Sequence, residues 1–237
     1  MNYYLAVVYR LLIVLLLFFL SRFIFWGLNR SLFPEISAAG WGRILKGGLR
    51  FDIAAMFYYN ALPLVMMLLP LPALWRNGSR YRLTVKITFL ICNIIALLLT
   101  CIDFIYYRFT LRRTTFMVFK EFGSEENGGQ LARHFLTDFW YVALIFLALT
   151  GLMVFLYNRV IARAVQGHSK ARYYITAVVT LLLAGFLAVG GIRGDFKHST
   201  RPITISNAGD YVDNPNEIYL VLNTPFTFLR TMGVQAL

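Results

Sequence analysis

The chain has 237 residues, of which 59% are hydrophobic and 16% aromatic, with a mean hydropathy of +0.63 and a formal net charge of +12. A soluble domain is only about 45–50% apolar, so this composition excludes an ordinary soluble fold and points to an integral membrane protein. The charge is confined to one part of the chain: after Gly191, Arg193, Lys197, Arg201 and Arg230 are balanced by Asp195, Asp210, Asp213 and Glu217. A basic excess that lies wholly among apolar spans serves anionic lipid head groups and topology rather than nucleic acid, which is excluded as a partner.

Five apolar runs are long enough to cross a bilayer: about Tyr4–Gly27, Ile53–Leu74, Leu83–Tyr106, Phe139–Tyr157 and Tyr173–Gly191. The first has too long an apolar core for a signal peptide and is not followed by a small-residue cleavage site, so it is expected to remain as a helix. Between the first two spans, Pro34-Glu35 is a possible helix start, and Trp41, Ile44, Leu45 and Leu49, interleaved with Arg43 and Lys46, suggest a helix lying in the head-group layer. Pro63, Pro70 and Pro72 interrupt the second span. Cys92 and Cys101 share the third; nine positions at about 100° each set them on opposite faces, so they are read as apolar filler. Asn93, in the same span, predicts an interhelical hydrogen bond.

Orientation follows from two short loops. One carries Arg76, Arg80, Arg82 and Lys86; the other carries Arg159, Arg163, Lys170 and Arg172 with no acid. Both are expected in the cytoplasm, which puts the N-terminus inside and, after five spans, the C-terminal tail outside. Arg10 then lies near the cytoplasmic end of the first span, where it can snorkel.

Catalytic signals are sparse. His134, His168 and His198 lie in three separate segments, and no HExxH, CxxC, GxSxG or phosphate-binding glycine loop is present. No catalytic residue or metal ligand is assigned. Two acids at span ends are of more interest: Asp52, after Arg50, opens the second span, and Asp103 closes the third ahead of Arg108, Arg112 and Arg113. All six fall at one membrane level. Arginine forks bind phosphate bidentately and carboxylates can hold such arginines in place, so these residues are candidates for a lipid head-group site; ordinary ion pairing at helix ends is the alternative.

The tail contains Arg201-Pro202-Ile203, Asn207-Ala208, Tyr211 and Leu222-Asn223-Thr224-Pro225-Phe226. Residues 201–216 read as irregular. Asn214-Pro215-Asn216-Glu217 is expected to open a helix through Val221, and Thr224-Pro225 another, with Thr224 as N-cap and Pro225 at the first helical position. Phe226, Phe228 and Leu229 would need a partner to bury against.

These tail residues, the five spans and the Asp103-to-Phe109 helix end together resemble the membrane part and linker of lipoteichoic acid synthase-like proteins, in the sulfatase / alkaline phosphatase superfamily. The resemblance implies an all-α membrane domain over residues 1–191, with five transmembrane helices and one or two interfacial helices. Residues 192–237 would be a largely irregular extracytoplasmic linker to a catalytic domain beyond Leu237. It also implies the bacterial cytoplasmic membrane and a parent enzyme transferring phosphoglycerol or phosphoethanolamine from a membrane lipid, or hydrolysing sulfate esters, with a Thr nucleophile and Mn²⁺ or a similar ion in that further domain. This chain would supply the anchor and present the lipid. A free-standing envelope scaffold and, more remotely, a small transporter are the competing expectations.

Overall fold

The structure is a computed structural model and describes residues 2–33, 35–118, 137–162, 170–196 and 202–232. Among the described residues every regular element is helical. The membrane helices are α1 (Tyr3–Leu28), α2 (Ala38–Leu68), α4 (Ser79–Thr110), α5 (Trp140–Arg159) and α6 (Lys170–Arg193), with the short α3 (Ala73–Asn77) between α2 and α4. The tail adds α7 (Ile218–Val221) and α8 (Thr224–Met232). All five long helices are apolar enough to cross a membrane.

Local chemistry sets the ends. The Asn2 side chain accepts from Tyr4 N at 3.2 Å to start α1, and Ser37 accepts from Gly40 N at 3.1 Å to start α2. Pro63 sits inside α2, whereas Pro70 and Pro72 stop it, so the helix ends at Leu68 rather than at the expected Leu74. At its other end α2 runs back to Ala38 without a break. The stretch around Trp41 is therefore the first turns of a 31-residue helix, not a separate interfacial one. Ring contacts with α1 hold it in line: Trp41 stacks on Phe23 (centroids 5.5 Å apart) and meets Trp26 edge-on (5.2 Å). Helix α4 closes with Leu111 in the left-handed region (φ 53°), its N–H returning to Tyr107 O.

Helices α1, α2 and α4 form the centre, α5 packs on α4 and α1, and α6 packs on α2. The apolar core includes Phe25, Ile44, Phe51, Phe89, Leu97 and Phe104, all fully buried. Facing positions such as Leu83, Ile87 and Ile91 on α4 and Leu182 and Phe186 on α6 stay exposed, as lipid-facing surfaces do. At mid-height Asn93 makes its interhelical bond with a partner on α2. Asn60 Nδ2 donates to Asn93 Oδ1 at 3.0 Å, Asn93 Nδ2 donates to Asn60 Oδ1 at 2.8 Å, and each amide also donates to the carbonyl one turn back in its own helix.

Candidate functional site

The tail is seated on one end of the bundle, hereafter the tail end. Residues 205–211 form a 3-10 stretch rather than an irregular run, closed at its start by Thr204 N donating to Asn207 Oδ1 at 2.9 Å. Ala208 is buried under it. The Tyr211 ring lies against Gly47 of α2, and its hydroxyl accepts from Arg50 Nη1 at 3.0 Å. Arg43 also pairs with Asp213 across this junction. The expected helix opening at Asn214 is present: Asn214 Oδ1 accepts from Asn216 N at 3.0 Å, a 3-10 turn covers Pro215–Glu217, and α7 follows.

Helix α7 leaves four successive carbonyls at its C-terminus, and two arginines take all of them. Arg22 of α1 donates through Nε to Leu220 O (2.9 Å) and through Nη2 to Val221 O (3.3 Å). Arg113, in the segment after α4, donates through Nε and Nη2 to Tyr219 O (3.0 and 2.6 Å) and through Nη2 to Leu222 O (3.1 Å). A helix C-terminus carries partial negative charge and unsatisfied acceptors, so the guanidiniums complement it in both charge and hydrogen bonding.

Each arginine is held in turn by one of the span-end acids. Arg22 forks onto Asp52, Nη2 to Oδ1 at 2.7 Å and Nη1 to Oδ2 at 3.2 Å, with both side chains about 3% exposed. Arg113 Nη1 reaches Asp103 Oδ2 at 3.3 Å, and its Cζ lies 3.7 Å from the centroid of the Phe25 ring. Burial holds the Arg113 guanidinium below its ordinary pKa, opposed by the nearby Asp103 carboxylate. Thr114 N also donates to Asp103 Oδ1 (2.8 Å), as does the Thr114 hydroxyl.

The Leu-Asn-Thr-Pro-Phe motif closes both pairs. Asn223 Nδ2 donates to Asp52 Oδ1 at 2.6 Å, and the Thr224 hydroxyl donates to Asp103 Oδ2. Asn223 Oδ1 accepts from Phe226 N at 2.8 Å, so Asn223, not Thr224, is the N-cap of α8, and Pro225 occupies its second position. The difference has a plain cause: Thr224 turns its hydroxyl to a buried carboxylate and leaves the cap to its neighbour. Phe226 then buries against Phe51 (centroids 5.0 Å) and Phe228 meets Phe116 (5.6 Å), which gives the α8 aromatics the partners they require.

Of the six head-group candidates, Asp52, Asp103 and Arg113 are therefore internal and fully engaged. The cavity left between them, lined by Phe18, Ser21, Arg22, Thr100, Arg113, Leu222 and Asn223, is about 10 Å³, the size of one water and no larger ligand. Arg108 donates to Leu28 O, and Arg112 is exposed. Arg50 differs: its Nε is buried and has no hydrogen-bond partner among the described residues. It stands at the end of a groove of about 460 Å³ between α1, α2 and α6, whose walls include Leu11, Leu15, Ile53, Phe57 and Leu187. Glycines shape the α6 side. A Cβ on Gly191 would lie 2.6 Å from the Phe57 ring, and one on Gly194, which has φ +75°, would lie 2.5 Å from Arg50 Nε.

Of the tail motif, Pro202 is exposed, Asn207, Ala208, Tyr211 and Leu222 to Phe226 are placed as above, and Arg201 lies outside the described residues. So do His134, His168 and His198. Among the described residues no three His, Cys, Asp or Glu side chains come together to hold a metal. The residue missed by sequence reasoning is Arg22. An arginine deep in an apolar span needs a counter-charge, and Asp52 at a neighbouring span end was available as one. Searches of family models, curated proteins and solved structures find no match to this chain.

Proposed function

We propose that the chain is the membrane anchor of an extracytoplasmic, lipid-dependent phosphotransferase of the sulfatase type, and that the groove ending at Arg50 presents the lipid substrate. In this reading the tail end faces out of the bacterial cytoplasmic membrane, in keeping with the short basic loops at the opposite end. The catalytic domain, with its Thr nucleophile and divalent metal, would follow α8.

The observation that carries the reading is the union of a mainly apolar groove with a half-buried arginine at one end, beside Asp195, whose buried Nε donor is unused among the described residues. Acyl chains fit the walls formed by α1, α2 and α6, and a phosphodiester fits Arg50, which offers a planar set of donors to phosphate oxygens. The latched tail supports the same reading, because it fixes the exit of α8 relative to the groove and so holds a following domain at a set height over the head groups.

The test begins with the reading frame beyond the codon for Leu237. The gene product in its full frame is then reconstituted with phosphatidylglycerol or phosphatidylethanolamine and Mn²⁺, and diacylglycerol release is followed by mass spectrometry. Metal-dependent release that falls about tenfold or more in Arg50→Ala, the scale of one lost charged hydrogen-bonding group, is expected. A frame that lacks a metal-binding domain, or turnover indifferent to Arg50, overturns the proposal.

A further inference from the structure

The end of the bundle opposite the tail carries a second cavity, also of about 460 Å³, between the start of α1, α3, the start of α4 and the segment leaving α5. Its lining contains four basic side chains, Arg10, Arg76, Arg82 and Lys86, and the tyrosines Tyr3, Tyr81 and Tyr157, with no acid. None of the four cations has a carboxylate within 4.0 Å among the described residues, and the stretch from Arg159 to Arg172 has no acid in its sequence.

One of these cations, Arg76, is buried, a second, Arg10, is half-buried, and both are incompletely bonded. Arg76 is 2% exposed. It donates through Nη2 to Met67 O (2.8 Å) and through Nη1 to Tyr173 Oη (3.2 Å), and its Cζ sits 4.2 Å from the Tyr3 ring centroid, yet its Nε has no partner among the described residues. Arg10 lies over the Tyr157 ring at 4.3 Å, and its buried Nε likewise has no partner among them. A buried cation without a counter-ion is costly, and an unused buried donor adds to that cost. Helix α4 opens into the same cavity at Ser79, after Gly78, which offers no side-chain cap; the free N–H groups of a first turn favour an anion.

We infer that this cavity binds the phosphate of an anionic membrane lipid. A lipid rather than a soluble phosphate fits because an exposed apolar stripe, Leu83, Ile87, Ile91 and Ile95, descends α4 at four-residue spacing from the cavity rim. It provides a surface for acyl chains directly below the cations. Basic pockets between transmembrane helices recognise lipid phosphates in this manner. The site is at the other end of the bundle from Arg50 and does not depend on the reading of that groove.

The full chain in phosphatidylcholine nanodiscs, with spin-labelled phosphatidylglycerol or phosphatidylcholine as probe, tests the inference. Wild type is expected to favour the phosphatidylglycerol probe by about fivefold or more, on the scale of a few surface cations acting on one anionic lipid. Arg82→Gln with Lys86→Gln, two substitutions on accessible side chains, should reduce that preference about twofold or more, the remainder belonging to the groove at Arg50. Arg108→Gln with Arg112→Gln, at the tail end, should leave it in place. Equal retention of both probes by wild type, an unchanged preference in the Arg82/Lys86 variant, or an equal loss in the Arg108/Arg112 variant overturns the site. Full displacement of the labelled lipid by millimolar inorganic phosphate would assign the cavity to a soluble anion and overturn the lipid assignment.

Discussion

Asn223 links the tail to the membrane through both ends of one amide: its Nδ2 donates to Asp52 Oδ1 at 2.6 Å, and its Oδ1 caps α8 at Phe226 N at 2.8 Å. One side chain thus joins a carboxylate midway along α2 to the first turn of a helix 171 positions later. Replacing it with Ala removes a cap, about 1 kcal/mol, and a hydrogen bond to a charged group, about 1.5–3 kcal/mol. Asn223→Ala should leave the five spans folded but free the tail, read as faster tryptic cleavage at Arg230 with an unchanged far-ultraviolet helix signal. Cleavage at the wild-type rate would show that the latch does not depend on this amide.

Arg22 and Asp52 are expected to be strongly coupled. Removing either leaves the other charge buried, which costs about 3–5 kcal/mol. The loss in a double variant, Arg22→Met with Asp52→Leu, should be well below the sum of the two single losses, by more than ~1 kcal/mol. Arg22→Lys should rescue only partly, since an ammonium cannot fork onto the carboxylate while also reaching Leu220 O and Val221 O. Chemical unfolding in a mild detergent, applied to all four proteins, checks this; additive losses would contradict it.

Gly48 and Gly42, six positions apart on α2, should behave oppositely. A Cβ at Gly48 would lie 2.4 Å from Arg22 Cζ and push the guanidinium off Asp52, whereas one at Gly42 meets nothing within 4 Å. Gly48→Ala is expected to destabilise and release the tail; Gly42→Ala is expected to stabilise by about 0.5–1 kcal/mol through helix propensity alone. Thermal unfolding of the two variants separates them, and a neutral Gly48→Ala would mean that Arg22 does not need that approach.

The Asn60–Asn93 pair predicts a sign reversal. Either residue changed alone to Leu strands an amide in the bundle, at a loss of ~1–2 kcal/mol. The double Leu variant should recover most of it, because no buried polar group is left without a partner. Recovery absent in the double variant would point to the carbonyl contacts at Met56 and Phe89 as the larger contribution.

The five spans were legible because apolar length alone decides them, and Asn93 because an amide at membrane depth requires a partner. The merged start of α2 was not legible: Trp41, Ile44, Leu45 and Leu49, with Arg43 and Lys46 between them, read as a separate interfacial helix, and nothing local shows that Gly47 and Gly48 are where Tyr211 and Arg22 approach the helix backbone. Span ends put the six charged candidates at one level, but the pairing of Asp52 with Arg22 and of Asp103 with Arg113 was hidden. Arg113 looked like one of a basic cluster, and nothing in its neighbours distinguishes it from exposed Arg112. Only the fold reveals that Arg113 turns inward onto Phe25 and the α7 carbonyls. The groove at Arg50 needs three helices from distant parts of the sequence, so no local pattern announces it.

The order in which the latch is made has a consequence for biogenesis. Arg22 is synthesised 198 positions before Leu220, whose carbonyl it receives. During that interval Leu220, Val221 and Asn223 are not yet available to Arg22 and Asp52. The bundle thus carries an unfinished polar seam until α7 packs against it. A chain stalled before Leu220 leaves Arg22 with Asp52 alone, so the stability of the first two helices depends on a segment made long after them.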